Sequence, residues 1–248
     1  MSRFKNKVVV ISGGNSGIGL STAKLFKTHG ALVITNARSE ERKTETLNAN
    51  QGLFDDVIVA DLSDLSQTEN FVTTVGRKYG SIDVLYLNAG IAEFRPIEKI
   101  TEDHFDEQFN LNVRSLLFTV KYALPYLKNG SSVLVTSSIV NQIGMLNSSV
   151  YAATKAAVKS IAQTLAAELV ERGIRVNAIS PGPIETPLFS KMNLTDEELK
   201  ATADGILDQV PLKRFGSSDE VASLALQISE NGFINGQELV IDGGMAAK

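Results

Sequence analysis

The chain has no cysteine, so its 248 residues contain neither a disulfide nor a thiolate nucleophile, as fits a reducing compartment. Its two histidines, His29 and His104, fall on separate predicted helices, so no metal-ligand cluster is expected. No apolar run is long enough to cross a bilayer, and the run from Val8 to Ile11 is too short for a secretory signal. The expectation is a cytoplasmic protein with no membrane partner. Excess charge is missing too: 24 Lys and Arg stand against 28 Asp and Glu, a formal net charge of -4, which offers no pull toward nucleic acid. Repeats, low-complexity tracts and linkers are absent, so residues 1–248 are expected to form one domain. With 43% hydrophobic and 21% charged residues, the composition is that of a soluble chain able to bury a sizeable core.

Short β-branched runs at 7–12, 31–36, 56–60, 82–87, 132–136, 175–179 and 238–241 read as strands. Helix-like segments lie between them, including a long amphipathic one over 101–127 and another over 150–172. The polar segment 183–209 carries no strand signal and reads as a lid over the substrate. The alternation predicts an α/β fold of Rossmann type, a doubly wound and mostly parallel seven-stranded sheet with helices on both faces. Ligands of such sheets bind beyond the carboxyl ends of the strands, so the residues there are where chemistry is sought.

After the first strand comes Ser12-Gly-Gly-Asn-Ser-Gly-Ile-Gly19. Glycines permit a tight turn and close approach to a pyrophosphate, whose charge sits well at a helix N-terminus. After the second strand, Asn36-Ala-Arg-Ser39 lacks the carboxylate that usually binds a ribose 2′-hydroxyl, and Arg38 offers a charged planar fork for a 2′-phosphate. NADP(H) is therefore expected over NAD(H), although Arg38 also reads as part of a solvated charge cluster with Glu40, Glu41, Arg42 and Lys43. Asp61, after the third strand, can meet the adenine or cap the next helix. Asn88-Ala-Gly90 ends the fourth strand, and Ser137-Ser138 ends the fifth. The sixth runs into Pro181-Gly-Pro-Ile-Glu-Thr186.

Tyr151 and Lys155 stand four residues apart in an Ala-rich segment, on one face if it is helical. An ammonium beside a phenol lowers its pKa, which would let the pair exchange protons near neutrality. The same spacing also serves ordinary helix packing.

Together these stretches resemble the short-chain dehydrogenase/reductase family, in its single-domain form, over essentially the whole chain. The glycine turn, Asn88-Ala-Gly90, Asn112, Ser138, Tyr151-x-x-x-Lys155 and Pro181-Gly182 occur in the family's order. Departures are small: Ser12 stands where Thr is commoner, Leu87 where Asn is, and Pro183 replaces a freer residue. The resemblance implies hydride transfer between a nicotinamide and a ketone or secondary alcohol. Tyr151 would be the general acid, Lys155 would lower its pKa and hold the nicotinamide ribose, and Ser138 would polarise the carbonyl. Asn112 would hold a water linking Lys155 to solvent, or would simply bond to backbone.

Cofactor contacts are implied at Gly13, Asn15, Ser16, Gly17, Ile18 and Gly19 for the pyrophosphate, and at Arg38, Ser39, Asp61 and Leu62 for the adenosine. Asn88, Ala89 and Gly90, then Pro181, Gly182, Ile184 and Thr186, would flank the nicotinamide. Substrate would meet Ser138, Val140, Leu146, Tyr151 and Pro183, with Ile139 and Gln142 beside them and Glu93, Phe94 and Arg95 at the edge. A 3-oxoacyl carrier-protein reductase, with Lys128 and Arg172 in a docking patch, is one subtype; a non-catalytic NADP(H)-binding sensor or scaffold is the alternative of another class. No metal is implied, and a homotetramer or homodimer is expected through the helices bearing Asn112 and Tyr151.

Overall fold

The computed structural model describes residues 3–185 and 196–247. Seven strands, β1 (Val8–Ser12), β2 (Leu32–Ala37), β3 (Asp56–Val59), β4 (Ile82–Leu87), β5 (Leu127–Thr136), β6 (Arg175–Pro181) and β7 (Glu238–Ile241), form one sheet in the order β3-β2-β1-β4-β5-β6-β7. Every pairing is parallel. The expected "mostly parallel" sheet is thus fully parallel among the described residues. The order reverses between β1 and β4, which opens the ligand crevice at their carboxyl ends.

Both faces of the sheet are covered, which is why its strands read as unbroken apolar runs. Val8 and Val10 point to one face, where α3 (Leu65–Tyr79), α5 (Ser115–Ala123) and α6 (Ser149–Leu169) bury Phe71, Val120 and Val158. Val9 and Ile11 point to the other, where α1 (Gly17–Thr28) and α8 (Ser218–Glu230) bury Phe26 and Val221. Completely burying one such side chain contributes about 1.5–3 kcal/mol, so these two layers supply the main drive to fold. The remaining helices are α2 (Glu40–Ala49), α4 (Glu102–Phe109) and α7 (Asp196–Gln209). Ser217 and Glu220 form a reciprocal cap at the start of α8, satisfying amides that lack intrahelical partners.

Three expectations change. The segment 101–127 is not one helix: α4 passes into a π turn, Asn110–Arg114, then α5, which stops at Ala123. Pro125 cannot continue the helix, and Leu127 instead begins β5 by pairing with Ile82. The helix expected over 150–172 ends at Leu169 and tightens into a 3-10 turn, Val170–Arg172. Within the lid expected over 183–209, residues 196–209 are α7, while 186–195, including Thr186, lie outside the described residues. No helix among the described residues is long and apolar enough to cross a membrane.

Candidate active site

The glycine turn closes against the carboxyl edge of the sheet. Gly13 (φ +67°) and Gly17 (φ +49°) are left-handed, a conformation that costs glycine little. A Cβ on Gly19 would stand 2.2 Å from the Gly13 carbonyl oxygen, so α1 can begin here only with glycine. The turn is pinned from below: the Gly13 amide donates to Asn36 Oδ1 at 3.1 Å and the Gly14 amide to Thr35 Oγ1 at 3.0 Å. At the opening of α1 the Ser16 side chain caps nothing and the first turn holds no acidic residue. The helix-start amides and the Ser16 hydroxyl thus face outward with positive polarity, a fit for a pyrophosphate. Asn15 and Ile18 border this cradle, and Ile18 also packs against the core. Gly19→Ala is expected to weaken NADPH binding at least about 100-fold, because the turn must open by more than an ångström. A fluorescence titration checks this, and unchanged affinity would contradict it.

At the end of β2, Ala37 is buried and Arg38 is exposed. Arg42 pairs with Glu45 at 2.7 Å and Lys43 with Glu40 at 3.9 Å, whereas Arg38 makes no ion pair among the described residues. Its guanidinium is thus unspent, unlike the cluster to which it could have belonged. The Ser39 hydroxyl accepts from the Arg42 amide at 3.2 Å and caps α2. Asp61 is not the helix cap: Asp64 caps α3, while Asp61 accepts from the Ser63 amide at 3.0 Å and hydroxyl at 2.8 Å. Leu62 is buried in the core, so only its backbone can face an adenine.

The β4 end is tied to β1 by Ser12, whose hydroxyl accepts from the Asn88 and Ala89 amides, both at 3.0 Å. Thr136 Oγ1 donates to Asn88 Oδ1 at 3.2 Å. A Cβ on Gly90 would lie 2.9 Å from Asn112 Oδ1 and 3.6 Å from Lys155 Nζ, so this glycine makes room where three elements meet. Asn112 sits in the π turn. Its Nδ2 donates to the Ile91 carbonyl at 2.8 Å and to Thr154 Oγ1 at 3.1 Å, and its Oδ1 accepts from the Ile91 amide at 2.9 Å. Both side-chain N–H bonds are therefore made to protein, so a water at this residue would have to donate to one of its oxygens.

Tyr151 and Lys155 lie on one face of α6, as their spacing requires. Lys155 is only 5% exposed, and its Nζ donates to the Thr136 carbonyl at 2.8 Å. It lies 5.6 Å from the Tyr151 ring centroid, over the ring face. Phe94 meets that ring edge-on at 5.7 Å and 76°. Burial pushes the Tyr151 phenol up to about 12, with a hydrogen bond from Ser138 pulling the other way. This reverses the expected direction: the ammonium faces the ring and is spent on Thr136, so burial decides. The phenol is thus firmly protonated at neutral pH, as a proton donor needs to be.

Burial also brings Lys155 down to about 8 from its usual 10.5. The unfolded chain then holds this proton more tightly, so stability of the cofactor-free protein should rise as pH climbs from 8 toward 10, by up to about 1.4 kcal/mol per pH unit. Melting profiles of wild type and Lys155→Met check this; parallel profiles would contradict it.

Ser138 stands between β5 and a 3-10 turn, Ile139–Asn141, its Oγ accepting from the Val140 amide at 3.4 Å. Val140 is buried beneath it and Pro183 is half-buried, but Leu146 is 90% exposed and is not gathered into the site. Pro181 is the last residue of β6, and the Gly182 amide donates to the Ile241 carbonyl at 2.9 Å. A Cβ on Gly182 would come within 2.6 Å of Asp242 Cβ. Ile184 is buried and bridges to Gly216, which leaves only its backbone for a ligand. Lys128 and Arg172 lie away from the site. Lys128 contacts Asp83 at 3.2 Å near the amino end of β4, and Arg172 donates to the Leu124 carbonyl at 2.6 Å. They form no patch at the mouth.

Residues 13–246 match the family described as enoyl-(acyl carrier protein) reductase. The chain is 38% identical to a 3-oxoacyl-(acyl-carrier-protein) reductase of Thermotoga maritima, over 98% of this chain and 99% of that one. It is 33% identical to levodione reductase of Leifsonia aquatica, over 99% and 96% of the two chains. Among solved structures, a short chain dehydrogenase from Burkholderia cenocepacia in complex with NADP superposes with a TM-score of 0.88 at 31% identity, covering 99% of this chain and 100% of that one.

Proposed function

Because this chain belongs to the short-chain dehydrogenase/reductase family and is an oxidoreductase of it, we propose that it reduces a ketone to a secondary alcohol with NADPH, and runs the reverse reaction with NADP. The observation that carries this reading is the partly buried Tyr151 ring set 5.6 Å from the Nζ of buried Lys155, with Phe94 against its edge. In this reading the Ser138 and Tyr151 hydroxyls both donate to the carbonyl oxygen of the substrate. When bound, NADPH supplies the hydride that reaches the carbonyl carbon. Ser138 orients the carbonyl, and Tyr151 Oη gives its proton to the oxygen as negative charge develops there. Lys155 holds positive charge under the ring, which stabilises the phenolate left behind until solvent returns the proton.

The residues fit the cofactor. The bare helix start at Ser16 suits a pyrophosphate, and Arg38 beyond Ala37, exposed and without an ion pair among the described residues, supports a 2′-phosphate and so NADP(H) over NAD(H). Relatives whose names specify a 3-oxoacyl or dione substrate support a keto group as the reacting centre. The acyl-carrier reading has that relative in its favour, and Lys128 and Arg172, bonded to Asp83 and to the Leu124 carbonyl, fit their reading as ordinary surface charges as well as a docking patch. The test is NADPH oxidation against a panel of simple ketones, diketones and 3-oxoacyl thioesters. Turnover on at least one class is expected; binding of NADPH with no turnover on any would favour the sensor or scaffold reading. We further propose that half-exposed Phe105 and Leu117, on α4 and α5, pack against a second copy in a homodimer or homotetramer.

A further inference from the structure

Glu238, the first residue of β7, carries a carboxylate only 8% exposed that none of the steps above uses. One oxygen, Oε1, accepts from Asn141 Nδ2 and from Ser180 Oγ, both at 2.5 Å. The other, Oε2, accepts from Gln142 Nε2 at 2.9 Å and pairs with Lys159 Nζ at 2.6 Å. Its partners come from the turn that follows Ser138, from the end of β6 just before Pro181, and from α6 one turn beyond Lys155.

The bonds run in one direction because a carboxylate only accepts. Asn141 Nδ2 donates to Glu238 and also to Ser137 Oγ at 2.9 Å. The Ser137 hydroxyl, which accepts that bond, donates its own proton to the Lys155 carbonyl at 2.9 Å. Asn141 Oδ1 is buried with no partner among the described residues, so the amide is oriented by its two acceptors. The Asn141 amide in turn donates to the Ser138 carbonyl at 3.2 Å. Ser138 itself has only a three-residue turn after it, too short to hold a fixed geometry unaided. Burial opposes the charge on Glu238, yet the four donors outweigh it and hold the carboxyl below its usual range.

We propose that Glu238 is a positioning residue for the reaction, acting through Asn141 and Ser137 to set the Ser138 hydroxyl against Tyr151. The inference rests on the carbonyl-reductase reading above. Glu238→Met keeps the length of the side chain and removes both acceptors. It should lower kcat by about 10- to 100-fold, the usual cost of a misplaced polar group, with NADPH Kd within about threefold of wild type. Glu238→Gln should keep at least about a third of wild-type kcat, because one amide oxygen can still serve Asn141 and Ser180, which share Oε1. Asn141→Ala removes the other end of the bond and should reproduce the kcat loss, so it decides the matter if Glu238→Met fails to fold.

The measurement is kcat, KM and NADPH Kd for the four proteins on one carbonyl substrate. Undiminished kcat in Glu238→Met or Asn141→Ala, or an equal loss in Glu238→Gln and Glu238→Met, would overturn the proposal while wild-type turnover left the underlying reading intact. Absence of turnover in wild type would overturn that reading, and this one with it.

Discussion

Replacing Tyr151 by Phe is expected to lower kcat for carbonyl reduction by about 1,000-fold while NADPH Kd stays within about threefold. The substitution removes one hydroxyl and little else. The ring, its edge-on contact with Phe94 and its position beside Lys155 all survive, and the groups assigned to the pyrophosphate and 2′-phosphate lie on other strand ends. What is lost is the phenol proton, which desolvation favours over the phenolate. Without it the developing alkoxide must take a proton from water beside the Phe94 ring. Steady-state kinetics with a parallel binding titration separates the two parameters, and activity within tenfold of wild type would contradict the assignment.

The second large effect concerns the cofactor. Wild type is expected to use NADPH with a kcat/KM well above that for NADH, and Ala37→Asp combined with Arg38→Ile should shift the ratio by about 100- to 1,000-fold toward NADH. The magnitude has two sources. A charged hydrogen bond from guanidinium to phosphate contributes about 1.5–3 kcal/mol, and a carboxylate at the end of β2 both repels the 2′-phosphate and accepts from a 2′-hydroxyl. Arg38 can supply this because it is exposed and free of the ion pairs that hold Arg42 and Lys43. Equal or better kcat/KM with NADH in wild type would contradict the reading of this strand end.

Most of the sheet could be read from the sequence because both faces are buried, so each strand stands out as a β-branched run between turn residues. The break within 101–127 could not, since Leu111 and Val113 carry the helical apolar pattern straight through the π turn. Pro125 was the available signal for where α5 stops. At the site, the glycine turn and the Tyr151–Lys155 spacing were visible as local patterns. The supports beneath them were not: Ser12 holds the Asn88 and Ala89 amides, Asn36 holds the Gly13 amide, and Glu238 holds Asn141, all across strands distant in sequence. The acidity of Tyr151 was misjudged for a related reason. A four-residue spacing places an ammonium over the ring, but it says nothing about how deeply the hydroxyl is buried or that Lys155 donates to Thr136. Leu146, apolar and near Ser138 in sequence, extends into solvent because residues 144–147 are all exposed there.

The central claim is that this site moves hydride from NADPH to a carbonyl carbon under proton donation by Tyr151. It is tested most directly with NADPH carrying deuterium at C4, incubated with wild type and Tyr151→Phe and the accepted ketone, with products analysed by mass spectrometry and NMR. Deuterium on the carbinol carbon of the wild-type product, and almost none formed by Tyr151→Phe under the same conditions, is the predicted result. An alcohol free of label at that carbon, or equal labelled product from both proteins, would contradict the account.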